Sequence, residues 1–265
     1  MRKGLYICLL ILLAACANYD ISKVNEEEEA GSGEEDSNKK KNESTSNGLS
    51  KERKSAAPEV YTATKLVDGV AIIENPENIY SLVNRENTLP SEYVPSDLMA
   101  PDIPFTFEEV IDKRFLRKEV IQPIEQLFSE AEKEGIQLLA VSGYRSYVRQ
   151  KSIYEHEVAK VGVEEAALYV ALPGQSEHQL GLALDVTSNS VGLKITEEFG
   201  DTIEGKWLEE NAHRFGFIIR YPRDKDLLTG YHYEPWHIRY VGKEVADYLF
   251  TNDLVLEQVV KSKQN

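Results

Sequence analysis

The sequence predicts an α+β fold: a single compact domain with a small central antiparallel or mixed sheet flanked by helices, preceded by a disordered tether. Three observations carry this expectation. Short apolar runs of strand length, such as 136–141, 217–221 and 237–241, alternate with helical periodicity but without a regular strand-helix repeat. The stretch 17–58 is built of Glu, Lys, Ser, Asn and Gly and has almost nothing to bury. The chain of 265 residues is 42% hydrophobic, which is enough for one sizeable core in the remainder.

At the N-terminus, Arg2 and Lys3 precede an apolar run from Leu5 to Leu13 that is too short for a mature membrane span and suits a signal-peptide core. It ends Leu13-Ala14-Ala15-Cys16, which resembles the lipobox of bacterial lipoproteins. That resemblance implies a signal peptide over 1–15 and lipidation of Cys16 as the first mature residue. Composition then gives a tether over 16–58 and a domain over 59–265, and the lipid would hold them at the extracytoplasmic face of a membrane. The plain alternative is a secretory signal with an incidental cysteine. Cys8 and Cys16 are the only cysteines, so a mature lipoprotein would have no disulfide. A tether of this length has a typical end-to-end distance of about 35 Å.

Order is expected from Val60, with short apolar stretches at 61–64 and 70–73 and a turn at Asn75-Pro76. Pro90, Pro95, Pro101 and Pro104 keep the next segment extended. Thr106 and Glu109 form a capping-box pattern, which predicts a helix running from there to Gly135, kinked or divided at Pro123. The apolar run 136–141 reads as a central strand, followed by Ser142-Gly-Tyr-Arg-Ser with Ser146 placed to cap a helix through Gln150 and Tyr154. A further helical stretch covers 163–171. Residues 196–205 read as a loop, 207–215 as a helix stopped by Gly216, and 217–221 as a strand. A charged loop at 222–230, a strand at 237–241 and a helix over 243–250 complete the order.

The charge pattern excludes some partners. The net charge is −15, and residues 60–265 alone hold 34 acids against 21 bases. An acidic domain argues against nucleic-acid binding and gives no long-range pull on an anionic substrate, so any anionic group must be caught by a local arginine. A monomer is expected.

The chemistry concentrates in two places. Along Gly181 to Val186 the side chains alternate, with Leu182, Leu184 and Val186 on one face and Asp185 on the other among small neighbours. A buried carboxylate needs a cation or a metal as partner. His178 precedes it, and the run Tyr231-His-Tyr-Glu-Pro-Trp-His237 follows about fifty residues later. Catalytic zinc takes three protein ligands from His, Asp or Glu and keeps a fourth position open. His178, Asp185 and His237 supply such a set, and Glu234 is near enough to act as general base on the attacking water. His232 competes for a ligand position; His156 and His213 read as helix-surface or core-edge residues. Arg145 stands where a strand hands over to a helix, a frequent place for the rim of a cleft, though a surface arginine paired with an acid fits the same position.

Three motifs in order, Ser142-Gly-Tyr-Arg-Ser, Ser176-Glu-His-Gln-Leu-Gly-Leu-Ala-Leu-Asp and Glu234-Pro-Trp-His, resemble the VanY-type zinc D-alanyl-D-alanine carboxypeptidases of bacterial cell walls. The resemblance extends from about Asn75 to Asn252. It implies a helix-rich α+β fold, with zinc held by His178, Asp185 and His237 and Glu234 as base. It further implies that Arg145 stabilises the oxyanion or holds substrate, and that Ser176 and Gln150 grip the terminal carboxylate. The expected activity is removal of the C-terminal D-alanine from peptidoglycan stem peptides. Two readings compete with it: an L,D-carboxypeptidase acting on tetrapeptide stems, and a zinc-stabilised wall-binding module without turnover.

Overall fold

The structure is a computed structural model, and it describes residues 57–264. In chain order the strands are β1 (Tyr61–Val67), β2 (Val70–Ile73), β3 (Asn87–Thr88), β4 (Leu98–Met99), β5 (Leu116–Arg117), β6 (Leu139–Ser142), β7 (Ala183–Thr187), β8 (Phe217–Tyr221), β9 (Glu234–Tyr240) and β10 (Lys261–Gln264). The helices are α1 (Lys118–Lys133), α2 (Tyr147–Val161), α3 (Val163–Tyr169), α4 (Ile203–Asn211), α5 (Asp226–Thr229) and α6 (Lys243–Asn252).

A four-stranded antiparallel sheet in the order β6-β7-β9-β8 forms the centre. One of its faces is apolar. Leu182, Leu184, Val186 and Ile238 from that face share a core with Val120, Ile124, Leu127, Phe128 and Ala131 of α1 and with Trp207 and Leu208 of α4. Burial of this interlocked apolar face is what fixes the register, since a slip of one residue would turn every side chain to the other side. The alternation read from the sequence places Asp185 on the opposite, polar face, and the structure agrees.

A second sheet, β10-β1-β2-β3, is mixed: β1 pairs antiparallel with β2, while β10 and β3 add parallel to β1 and β2. It joins segments near the two ends of the described chain, beside a smaller core of Val60, Leu82, Val245, Leu249, Leu256 and Val260. The α+β class expected from the sequence is therefore observed, with two more sheets among the described residues than the sequence reading placed: this one and the two-stranded antiparallel pair β4-β5.

Several expectations need correction: α4 begins at Ile203, inside the stretch read as a loop, and ends at Asn211, and α5 lies within the charged loop at 222–230. Thr106 does not open a helix. Its N–H donates to Ala140 O at 2.9 Å, and Ala140 N–H donates to Pro104 O at 2.9 Å, so this segment bridges to β6 in parallel and its backbone groups are spent there. The helix begins twelve residues later at Lys118, and α1 runs through Pro123 as one element instead of dividing there. The start of the Glu234 strand also lies earlier than 237, because β9 already pairs with β8 at Glu234. By contrast, Ser146 caps α2 as read, its Oγ accepting from Arg149 N–H at 3.3 Å. Cys16, the signal run and most of the tether lie outside the described residues.

Candidate active site

The polar face of the central sheet carries the site, and backbone register sets it. Asp185 on β7 pairs directly with His237 on β9. Between the pairs Tyr221↔Glu234 and Ile219↔Ile238, β8 advances two residues while β9 advances four, so β9 bulges at this point. In a regular strand, residues three apart point to opposite faces; the bulge re-aims Glu234, and both it and His237 line the same cleft. A second irregularity, between Ala140 and Ser142, bends β6 just before Arg145.

His178 comes from the short 3-10 turn Glu177–Leu180 that ends on Gly181, whose φ of 67° is the left-handed conformation glycine adopts without strain. The turn is entirely buried. His178 Nδ1 lies 2.7 Å from Gly143 O, so Nδ1–H is the donor and the lone pair of Nε2 faces Asp185 Oδ2 at 3.3 Å. Gly143 is required for this approach: a Cβ there would stand 2.5 Å from Phe115 O. His237 presents its other nitrogen. Nδ1 lies 3.0 Å from Asp185 Oδ1, and Nε2 lies 3.4 Å from Glu177 Oε2.

Donor atoms of His178, Asp185 and His237 all fall within 4.8 Å of one another, and all three residues are buried. Two imidazole nitrogens and one carboxylate turned toward one another make the N2O donor set that zinc accepts, with a position left for water. Glu234 is not in that group but borders the same cleft, as do Arg145, Gln150, Ser176, Tyr221, Tyr231 and Trp236 around a cavity of about 180 Å³.

The electrostatics follow from burial and charge. Burial acts to raise the Asp185 carboxyl, but His178 and His237 beside it hold it well below the usual carboxylate range. Burial pushes His178 down, and the charge of Arg145 adds to this, so the ring is neutral and free to ligate. For His237 burial also lowers the pKa, but hydrogen bonds to Asp185 and Glu177 outweigh it and lift the value to about 9. Burial raises Glu234 to about 7, opposed by His237 and reinforced by the negative charge of Asp185. A carboxylate poised near neutrality suits general acid–base work.

Arg145 reaches Asp185 Oδ2 at 3.5 Å and donates to Gln150 Oε1 at 3.0 Å and Ser142 Oγ at 3.3 Å. Gln150 in turn donates from Nε2 to Ala171 O at 2.7 Å, so its oxygen holds Arg145 while one of its two amide N–H groups is spent on the backbone. Ser176 is buried on the cleft wall. His232 stands apart: its ring is 5.1 Å from that of Tyr169 and its Nδ1 is 3.7 Å from Asp226, so it is no rival for the metal position. His213 stacks on Phe250 at 3.9 Å and bonds Asp247, and His156 is exposed on α2.

The sequence reading passed over Glu177, Arg220 and Arg239. Glu177 reads locally as one polar residue of a turn. Its Oε1 accepts from Arg220 Nε at 2.8 Å and Arg239 Nη1 at 2.7 Å, and none of the three side chains is exposed. The signal available in the sequence was two arginines at strand positions that otherwise carry apolar residues.

Residues 113–243 match the family described as VanY, D-alanyl-D-alanine carboxypeptidase. The protein YodJ of Bacillus subtilis (strain 168) is 49% identical over 216 residues, which are 82% of this chain and 79% of that protein. The chain belongs to the VanY family. Among solved structures, that of the LdcB LD-carboxypeptidase is 50% identical with a TM-score of 0.74, covering 80% of this chain and all (100%) of that one. A single-residue mutant of the vancomycin-resistance D,D-pentapeptidase VanY, solved in complex with Zn(II), is 34% identical with a TM-score of 0.57, covering 68% of this chain and 97% of that one. The family assignment and the α+β fold expected from the motifs both hold, and the protein is a peptidase.

Proposed function

We propose that this protein is a zinc-dependent carboxypeptidase that releases the C-terminal D-alanine from peptidoglycan stem peptides. The observation that carries the reading is the meeting of His178, Asp185 and His237 in one buried cluster, with Glu234 and Arg145 on the wall of the same cleft. Family membership sets aside the alternative of a wall-binding module without turnover.

His178 Nε2, a carboxylate oxygen of Asp185 and His237 Nδ1 would hold the metal. Bound there, zinc would lower the pKa of a water to about 7 and polarise the scissile carbonyl. Glu234 takes the proton from the water as its oxygen adds to the carbonyl carbon. The same carboxyl then hands that proton to the amine nitrogen as the C–N bond breaks and D-alanine leaves. Arg145, fixed by Gln150 and Ser142, offers its guanidinium to the oxygen that gains negative charge. Ser176 and the N–H of Gln150 not given to Ala171, both on the cleft wall, would meet the substrate's terminal carboxylate.

On the stereochemistry of the scissile bond, the 50% identity with LdcB over that whole chain supports the L,D reading, cleavage of tetrapeptide stems. This reverses the order in which the motifs alone rank the two readings. The 34% identity with the D,D-pentapeptidase supports the D,D reading on pentapeptides. Incubating zinc-loaded protein with each stem and weighing the products separates them: the L,D reading expects trimming of the tetrapeptide and predicts that the pentapeptide persists. Release of D-alanine from the pentapeptide alone assigns D,D specificity instead, and no release from either stem contradicts the proposal.

The anchor at Cys16 and the extracytoplasmic location are part of the same proposal. A carboxypeptidase on a lipid tether would work on the wall next to the membrane. Mass spectrometry of the mature N-terminus should find a lipidated Cys16, and Cys16→Ala should leave the membrane fraction.

A further inference from the structure

Behind His237 stands a buried ionic cluster for which the reaction as described has no use. Glu177 Oε2 lies 3.4 Å from His237 Nε2, while Oε1 accepts from both Arg220 and Arg239. One carboxylate between two guanidiniums leaves a surplus positive charge in the interior. Glu257, in the segment between α6 and β10, meets it: its oxygens accept from Arg220 Nη1 at 3.0 Å and Nη2 at 2.5 Å. Arg239 Nη2 donates to the carbonyls of Ile79 and Ser81 at 2.8 and 3.0 Å. The cluster therefore ties the histidine to the 79–81 loop on one side and to the C-terminal segment on the other.

Stability alone does not account for this arrangement. Buried ion pairs give little net stabilisation over apolar residues of similar volume, because desolvation cancels most of the attraction. What the cluster does supply is an acceptor of fixed position for the outer nitrogen of a ligating histidine, the kind of partner that sets tautomer and ring orientation in metal sites.

We propose that Glu177 is a positioning residue of the metal site, fixing the His237 ring with its proton on Nε2 so that Nδ1 faces the metal. Glu257, acting through Arg220, holds Glu177 in that position, so the C-terminal segment belongs to the support of the site. The inference rests on the zinc reading above, but its test needs no substrate.

Zinc affinity is measured by competition with a chromophoric chelator on the metal-free full chain. The variants are Glu177→Gln, Glu257→Gln and, as control, Asp253→Asn, which breaks the exposed Lys225–Asp253 pair of the same segment. Glu177→Gln should weaken zinc roughly 10–100-fold. Glu257→Gln should weaken it in the same direction by less, and Asp253→Asn should leave it unchanged. A purely structural role would lower the melting temperature and leave the zinc affinity of the folded protein intact, so a folded Glu177→Gln with wild-type affinity overturns the proposal. If Glu177→Gln does not fold, Glu257→Gln decides in the same way. Nitrogen-15 NMR of the zinc-loaded wild type gives an independent readout: His237 should be metal-bound through Nδ1 and protonated at Nε2, and the opposite tautomer also overturns it. A wild-type chain that binds no zinc contradicts the proposed function itself, which keeps the two failures distinct.

Discussion

Asp185 and His237 sit directly opposite each other across the β7–β9 ladder, with Asp185 Oδ1 3.0 Å from His237 Nδ1. Without a metal, the imidazolium form of His237 satisfies the buried carboxylate, which is why its pKa stands near 9. Zinc at the same nitrogen must displace that proton. Calorimetric titration of zinc in buffers of different ionisation enthalpy should register release of about one proton from His237 at pH 7.5, diminishing as the pH approaches 9. Proton-neutral binding at pH 7.5 would mean that the ring is already free.

Glu177 gives a prediction with the opposite pH sense. Burial alone would raise its pKa, but Arg239 and Arg220 hold it well below the usual range. A depressed carboxylate contributes stability above its unfolded pKa, about 4.3, and that contribution is lost progressively as the pH falls below it. Urea unfolding between pH 5 and 3 should therefore show a steep acid loss in the wild type. Glu177→Gln, less stable at neutral pH, should show a shallower one. Equal slopes would place the acid sensitivity elsewhere.

Gly143 joins the core of the fold to the site. A methyl group at this position meets Phe115 O and crowds Leu116, while the residue's own carbonyl accepts from His178 Nδ1. Gly143→Ala should cost about 1–3 kcal/mol in stability and also weaken zinc, as measured by thermal melts and metal competition. A variant with normal zinc affinity would show that the Gly143 carbonyl does not orient His178.

The separation between what was legible in the sequence and what was not follows the range of the interactions. His178, Asp185, Glu234, His237 and Arg145 stand in short motifs with local punctuation, and the structure gathers all five around one cleft. Ser146 marked the start of α2, and Gly216 the end of the 3-10 turn Ala212–Phe215 that follows α4, because capping is decided within a few residues. The capping-box pattern at Thr106 failed because its backbone is drawn into pairing with Ala140, a partner more than thirty residues away. The same limit hid the pairing of β1 with β10 from opposite ends of the domain. It hid Glu177 as well, whose partners lie 43 and 62 residues along the chain. The β9 bulge that brings Glu234 beside His237 depends on register with β8, which no spacing within one strand reveals.

The central claim is that Glu234 moves the proton while the His178–Asp185–His237 cluster holds zinc, and one paired measurement on Glu234→Ala addresses it. Zinc content is determined by metal analysis, and D-alanine release from stem peptides is followed by mass spectrometry, in the variant and the wild type. The account predicts one equivalent of zinc in both proteins and a fall in turnover of roughly 10²–10⁴-fold in the variant. Full activity in Glu234→Ala, or loss of its zinc, would contradict it.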